Sequence, residues 1–190
     1  MPGAVRLART ARTARTARSG AARGSSVLEV LVALVVLSVT IVGAAGLQIR
    51  AMKYGQVSQQ RSLAVQQAMA ISERMRSNLA AAAQASSPYQ FDFPYADIPG
   101  ALANLTAPAC TTPCTAEQMA TRHLLDWQGQ LAAVLVGGRG TVTRAAAGAP
   151  YTVTVMWLEK ELAQNPEQRS RSCPASAPAD VQCATFMFQP

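Results

Sequence analysis

The sequence predicts an α+β fold in which one long N-terminal α-helix, membrane-spanning in its first half, packs on a small antiparallel β-sheet domain. Twenty uncharged residues, Val30 to Ile49, form an apolar run early in the 190-residue chain. Apolar residues at helical spacing continue this run. Alternating apolar and polar residues, the period of a β-strand, appear only in the second half of the chain. Together these patterns indicate a membrane helix that leads into a small mixed domain.

Residues 1–24 form a basic segment. They carry six arginines, no acid and a near-repeat of Ala-Arg-Thr, whereas the whole chain has 17 basic and 10 acidic side chains. From Ser25 onward the counts are 11 and 10, a net charge of only +1. Such a segment suits a nucleic-acid arm, a transit-like sequence or the cytoplasmic leader of a membrane helix, and the apolar run that follows favours the leader. We therefore expect a cleaved leader over 1–24 and no nucleic-acid partner.

Residues 25–49 are predicted to form a transmembrane helix. The uncharged run spans roughly 30 Å at about 1.5 Å per residue, which is the thickness of a bilayer core. A helix of a water-soluble protein would need a polar face, and Ser38, Thr40 and Gln48 are the only polar side chains in the run. The arginines before it predict a cytoplasmic N-terminus, with the rest of the chain on the other side of the membrane.

Residues 50–83 are predicted to continue the helix in amphipathic form. No proline interrupts the chain between Pro2 and Pro88, and polar side chains fill the faces outside one apolar stripe. The stripe consists of Val57, Ala64, Ala68, Ile71, Met75 and Leu79. This face is expected to pack on the domain that follows.

Residues 84–190 are predicted to form that globular α+β domain. Prolines make 84–115 irregular, and Thr115 with Gln118 forms a capping box that starts a helix, which a Gly-Gly pair ends. The buried stripe of this helix should be Ala120, Leu124, Trp127, Leu131 and Leu135. Strands are expected at 141–143, 151–158 and 184–188.

The four cysteines, Cys110, Cys114, Cys173 and Cys183, lie in the part predicted to face an oxidising compartment, where disulfides persist. Three pairings are possible. The simplest joins Cys110 to Cys114 and Cys173 to Cys183, each across a short loop that contains proline.

Catalysis and metal binding have little support in the sequence. Cys110-x3-Cys114 with His123 and Asp126 fits no common zinc pattern. His123 is the only histidine, and Asp126, three residues along the same helix, is expected to make a solvated contact with it rather than a catalytic dyad. No nucleophile elbow, phosphate loop or dinucleotide fingerprint occurs. We therefore expect no enzymatic activity, no cofactor and no bound metal.

Glu29 is a carboxylate at the start of the apolar helix, where an unpaired charge costs a few kcal/mol. One interpretation is an interfacial residue that favours the helix dipole. Gly24, however, ends the basic leader five residues earlier, and Val30-Leu31-Val32-Ala33-Leu34 follows at once. This arrangement resembles the class III signal of type IV pilins and type II secretion pseudopilins, with serine at position 25 where the family usually has phenylalanine.

The resemblance implies specific roles for three residues. A prepilin peptidase would cut between Gly24 and Ser25, and the new amine of Ser25 would be methylated. Glu29 would form an assembly charge pair with that amine on a neighbouring subunit, since either charge left alone in an apolar helix bundle costs about 3–5 kcal/mol. Residues 25–49 would then form the filament core as well as the membrane span.

Further blocks narrow the resemblance to the PilV-type minor pilins, the type IV pilus modification proteins. These blocks are Gly46-Leu47-Gln48, Glu73-Arg74-Met75-Arg76-Ser77-Asn78, Asp126-Trp127, Gly137 to Gly140 and Tyr151 to Trp157. The loop between Cys173 and Cys183 also resembles the disulfide-bounded region of pilins.

The PilV-type resemblance implies a pilin-like fold and a minor pilin that takes part in initiation and assembly of type IV pili. Its partners would be the prepilin peptidase, other minor and major pilins, and the bacterial inner membrane. The 84–190 domain would lie in the periplasm, and incorporation into the extracellular pilus is compatible with this reading.

Three alternatives stay open at this point. A type II secretion pseudopilin has the same N-terminal signal and serves protein export. A secreted protein with an ordinary signal peptide would be cut after Val42-Gly43-Ala44, so a mature N-terminus at Ala45 rather than Ser25 would indicate it. A DNA-uptake or adhesive pilin would need an exposed basic patch on the outer domain, and its arginines are dispersed in the sequence.

Overall fold

A computed structural model describes residues 26–110, 113–160 and 166–190, and it confirms the predicted α+β fold. Its elements are α1 (Val27–Ser77), α2 (Leu79–Ala82), α3 (Ile98–Ala103), α4 (Ala116–Val134), β1 (Arg139–Arg144), β2 (Tyr151–Leu158) and β3 (Val181–Phe188), with a 3₁₀ turn at Pro166–Gln168. The chain divides into two compact units, 1–49 and 50–190, with the boundary inside α1. The processing residues Gly24 and Ser25 lie outside the described residues.

Helix α1 ends earlier than the predicted position 83. At Asn78 the backbone leaves the helical region, with φ −130° and ψ 55°, and α2 then adds a single turn. The Asn78 side chain donates to the carbonyl of Ala116 at 2.8 Å and to the hydroxyl of Tyr89 at 3.2 Å. These partners come from distant segments, so the sequence pattern of α1 alone could not indicate the break. Leu79, predicted to be in the buried stripe, is exposed as a result.

The sheet of the second unit has the order β1-β2-β3, and both pairs of neighbours are antiparallel. Phe91 adds an isolated bridge to Val142 on the outer side of β1. The predicted central strand has the predicted bounds, whereas the two outer strands begin earlier than predicted, at Arg139 and Val181. The core lies between one face of this sheet, α4 and the second part of α1.

Helix α4 begins as the sequence predicts. The Thr115 hydroxyl accepts from the Gln118 backbone N–H at 3.2 Å, and the Gln118 side chain accepts from the Thr115 backbone N–H at 3.0 Å. This reciprocal capping box satisfies two donors that the first turn would otherwise leave unpaired. All five residues of the predicted stripe, Ala120, Leu124, Trp127, Leu131 and Leu135, are buried.

Strand β2 is buried on both faces rather than on one. Its alternation predicted a half-buried strand, but Thr154 and Met156, on the face away from the helices, are buried as well. Tyr95 and Ala177, from the connections on either side of the sheet in sequence, line the space against Met156 on that face. The connection that holds Tyr95 also contains α3, a short helix that its proline-rich sequence did not predict.

Candidate functional site

The first part of α1, residues 27–49, exposes apolar side chains around its whole circumference. Every described residue of this part is exposed, and Glu29 carries its only charge. Among the described residues, α1 is the one helix long and apolar enough to cross a membrane. A water-soluble protein rarely leaves so large a contiguous apolar surface open. We call residues 27–49 the apolar part of α1; its length and composition are compatible with a single-pass membrane anchor.

Glu29 lies in the first turn of α1, and a serine that the sequence reasoning overlooked contacts it. The Ser26 hydroxyl accepts from the Glu29 backbone N–H at 3.2 Å, and the Ser26 carbonyl accepts from the same N–H at 2.9 Å. Ser26 is therefore the N-cap of α1. The signal was present, because Ser26-Val27-Leu28-Glu29 has the S-x-x-E spacing of a capping box.

The second part of α1 buries one stripe of side chains inside its own unit. Ala64, Ala68, Ile71 and Met75, which the sequence placed on that stripe, are buried together with Ser72. We call residues 64–75 the packed part of α1. The Trp127 indole N–H of α4 donates to the Gln67 carbonyl of α1 at 2.9 Å, which links the two helices.

Gly140 brings β1 against α4. A Cβ at this position would overlap the Trp127 ring and the Leu131 side chain. The side chain of Gln128 holds the two elements in place, since its amide donates to the Gly140 carbonyl at 2.6 Å and its oxygen accepts from the Gly140 N–H at 3.2 Å. Both tryptophans, Trp127 and Trp157, are buried in the core.

His123 takes part in a hydrogen-bond network between α4 and α1. Its Nδ1 lies 2.7 Å from the Tyr89 hydroxyl, so its partner is on another segment rather than the expected Asp126. The Arg74 guanidinium donates to the His123 carbonyl at 3.2 Å. Burial, followed by the positive charge of Arg74, lowers the pKa of His123, and the opposing effect of Asp126 is weaker. Burial also raises the pKa of Tyr89.

Arg144 is a buried cation held by carbonyl oxygens. Its guanidinium donates to Ala82 at 3.0 Å, to Ala85 at 3.2 Å and also to Gln84, and it stands 4.7 Å from the centroid of the Tyr151 ring. The first of these carbonyls ends α2, where a positive charge is favourable. The arrangement fixes β1 to the end of the helical segment and is structural.

The cysteines pair as their spacing in the sequence suggested. Cys110 bonds Cys114 and Cys173 bonds Cys183, with Cα atoms 5.3 and 5.1 Å apart. The second disulfide ties the loop after the 3₁₀ turn to the start of β3. Because Cys110 and Cys114 bond each other, they are not available as metal ligands with His123. In the part of the chain that the structure describes, no three His, Cys, Asp or Glu side chains converge on one point.

The functional residues predicted from the sequence divide between the two units. Glu29 belongs to the apolar part of α1, whereas the disulfides and the His123 network belong to the second unit. Comparison with protein families, curated proteins and solved structures found no match for this chain.

Proposed function

We propose that this chain is a minor pilin that takes part in the initiation and assembly of type IV pili at the bacterial inner membrane. It acts as an assembly subunit rather than as an enzyme. The prepilin peptidase removes residues 1–24, and the domain that follows α1 lies in the periplasm. The single observation that carries the proposal is the apolar part of α1, which is exposed on all sides and holds one charge, Glu29.

The physical argument begins with that surface. An apolar helix with no polar face is stable in lipid or among other apolar helices, and a helix that later joins a filament needs both environments in turn. A carboxylate near its start is costly in either environment unless a positive group pairs with it. An amine freed by cleavage just ahead of the helix supplies such a group on a neighbouring subunit.

The second unit supports the proposed location. Its two disulfides suit an oxidising compartment such as the periplasm. Its core includes the packed part of α1 and no residue of the apolar part, so the unit can fold while the apolar part lies in the membrane. Charge on the arginine-rich leader favours its retention on the cytoplasmic side.

The test distinguishes the effect of the Glu29 charge from the effect of its position in the capped first turn of α1. Glu29→Gln keeps the size of the side chain and the ability of glutamine to serve at this capping position, but it removes the charge. Ser26→Ala is the matched control, because it removes the cap acceptor and keeps the carboxylate. Both variants are expressed as full chains in cells that assemble pili, and cross-linking to the other pilins is measured.

We expect both variants to be processed to a mature N-terminus at Ser25, as seen by mass spectrometry. Glu29→Gln should lose cross-linking by about a hundredfold, since an uncompensated buried charge costs about 3 kcal/mol or more, and Ser26→Ala should retain it. Equal cross-linking of wild type and Glu29→Gln would overturn the charge pair. A mature wild-type N-terminus inside α1, such as Ala45, would overturn the pilin assignment itself.

A further inference from the structure

The two edges of the sheet differ in how their backbone groups are paired. On the outer edge of β1, the Gly140 N–H and carbonyl bond the Gln128 side chain, and the Val142 N–H and carbonyl bond the backbone of Phe91. The Gln90 side chain covers the Arg144 carbonyl beyond them. This edge is therefore closed from Gly140 to the Arg144 carbonyl, as expected where a protein prevents strand addition.

The outer edge of β3 is closed only at its beginning. The Glu159 N–H donates to the Asp180 carbonyl at 2.8 Å, so the backbone groups of Asp180 point toward the neighbouring strand. Backbone groups alternate in direction along an antiparallel strand, and those of every second residue from Val181 therefore point away from β2. Val181 itself bonds Pro178 and the Arg169 side chain.

Farther along β3 the outward backbone groups have no such cover. The Cys183 N–H still contacts the Gln182 side-chain oxygen at 3.3 Å. Beyond it the outward N–H and carbonyl groups belong to Thr185 and Met187, and no hydrogen bond from the rest of the described chain reaches them. Both side chains are exposed. The second half of β3 is therefore an open edge of the kind that accepts an additional strand.

A groove follows this open edge. It has a volume of about 510 Å³ and is lined by consecutive residues, Gln182 to Phe186. Because neighbouring residues of a strand point to opposite faces, the presence of Cys183 and Thr185 in the lining brings the groove to the edge of β3, and Trp157 of β2 extends it inward. Arg61 and Val65, one helical turn apart on α1, also line it.

The groove offers hydrogen-bond donors and positive charge. Arg61 is exposed, and within the described residues neither a hydrogen bond nor an ion pair engages its guanidinium. None of the residues that line the groove is acidic. Trp157 also lines it, and its indole N–H has no hydrogen-bond partner in the described part of the chain although the residue is 99% buried. This composition complements an acceptor-rich, acidic ligand.

We propose that the open edge of β3 and Arg61 form a docking site for an extended acidic segment of a partner protein, which adds to the sheet as a fourth strand. Backbone hydrogen bonds to Thr185 and Met187 hold the segment. A carboxylate of the segment pairs with Arg61. The site does not depend on the pilin assignment, because it uses only residues of the second unit.

Binding of defined peptides to the full chain in detergent micelles tests the site. The first peptide matches β3 in length and alternates valine with threonine and glutamate. The second has lysine in place of glutamate, and the third is the acidic peptide methylated on the backbone nitrogens of alternate residues. We expect the acidic peptide to bind at least about tenfold more tightly than the lysine peptide. The methylated peptide should not bind, because it cannot donate to β3.

Two protein variants locate the binding. Arg61→Gln should weaken binding of the acidic peptide by about tenfold, whereas Arg122→Gln, which removes another exposed charge, on α4, should leave its binding unchanged. Amide hydrogen exchange of Thr185 and Met187 should slow when the acidic peptide binds. Absence of binding up to millimolar concentration, equal binding of the acidic and lysine peptides, or binding of the methylated peptide would overturn the proposal. Self-association of the chain that Arg61→Gln abolishes would assign the edge to a second copy and would also overturn it.

Discussion

The apolar part and the packed part of α1 belong to one helix but have opposite burial. In the apolar part every side chain is exposed, including Ile41 at 60%. In the packed part, one stripe that contains Ile71 is buried, and the other faces carry mainly polar residues together with the exposed Met69. The same backbone conformation therefore serves two surroundings. The second unit supplies the surroundings of the packed part, whereas no described residue covers the side chains of the apolar part.

The apolar content of a helix alone therefore does not indicate what the helix packs against. The apolar part carries large branched side chains on all faces, which suits lipid or several neighbouring helices. The packed part contributes Ala64, Ala68, Ile71 and Met75 to the core of the second unit. Matched substitutions in the two parts separate these roles.

The largest difference should come from one substitution made in each part. Ile71→Ala removes a fully buried side chain and leaves a cavity, so the free energy of unfolding of the second unit should fall by about 2–5 kcal/mol. Ile41→Ala should leave it unchanged, because Ile41 contributes nothing to that core. Both tryptophans of the chain lie in the second unit. Urea unfolding in detergent, followed by tryptophan fluorescence, therefore measures the relevant transition.

Equal urea midpoints for the two variants would contradict this comparison. A loss of pilin cross-linking by Ile41→Ala with an unchanged midpoint would sharpen it, since the apolar part would then act only in contacts with other molecules.

A smaller difference is expected from two glycines. Gly140→Ala places a methyl group in the space of the Trp127 ring and should destabilise the second unit by about 1–3 kcal/mol. Gly46→Ala, in the apolar part, meets no atom within 4 Å and should leave the same transition unchanged. Both variants are compared with wild type by urea unfolding. An unchanged midpoint for Gly140→Ala would mean that β1 and α4 can separate at no cost, contrary to the close packing observed.

The sequence predicts those parts of the fold in which the signal is local. Composition alone predicts the apolar run. The capping box and the 3.6-residue period of the buried stripe predict α4. Strand β2 is identifiable from its alternation, although this predicted one buried face where the structure has two. Tyr95 and Ala177, far apart in the sequence, line the space beside Met156 on the other face.

Other features depend on contacts between distant residues and could not be predicted in this way. The break of α1 at Asn78 needs Tyr89 and Ala116 as hydrogen-bond partners. The approach of Gly140 to Trp127 is a property of the packed structure, as is the carbonyl cage around Arg144. Ser26 is a different case, because the local S-x-x-E spacing of Ser26 and Glu29 indicates its capping role. The resemblance of Gly24 and Glu29 to a processing signal gives the same segment a second interpretation.

The smallest predicted effect is the pH dependence of stability that arises from the contact between the packed part and α4. Since burial and Arg74 lower the pKa of His123 in the folded chain, the unfolded chain takes up the proton first as pH falls below about 6.5. Stability should therefore be constant above this pH and should decline below it, until the folded chain is protonated too. Because His123 is only partly buried, the decline should be well below the effect of Ile71→Ala.

His123 is the only histidine of the chain, so one variant isolates its effect. Urea midpoints of wild type and His123→Gln are compared at about pH 7.5 and at about pH 5.5, a window above the ordinary range of most carboxylates. The wild-type midpoint should fall across this window, and that of His123→Gln should change less. An equal fall in both proteins would assign the pH dependence to other groups. A rise in the wild-type midpoint would mean that the folded structure favours the protonated ring, as it would if Asp126 rather than Arg74 dominated the surroundings of His123.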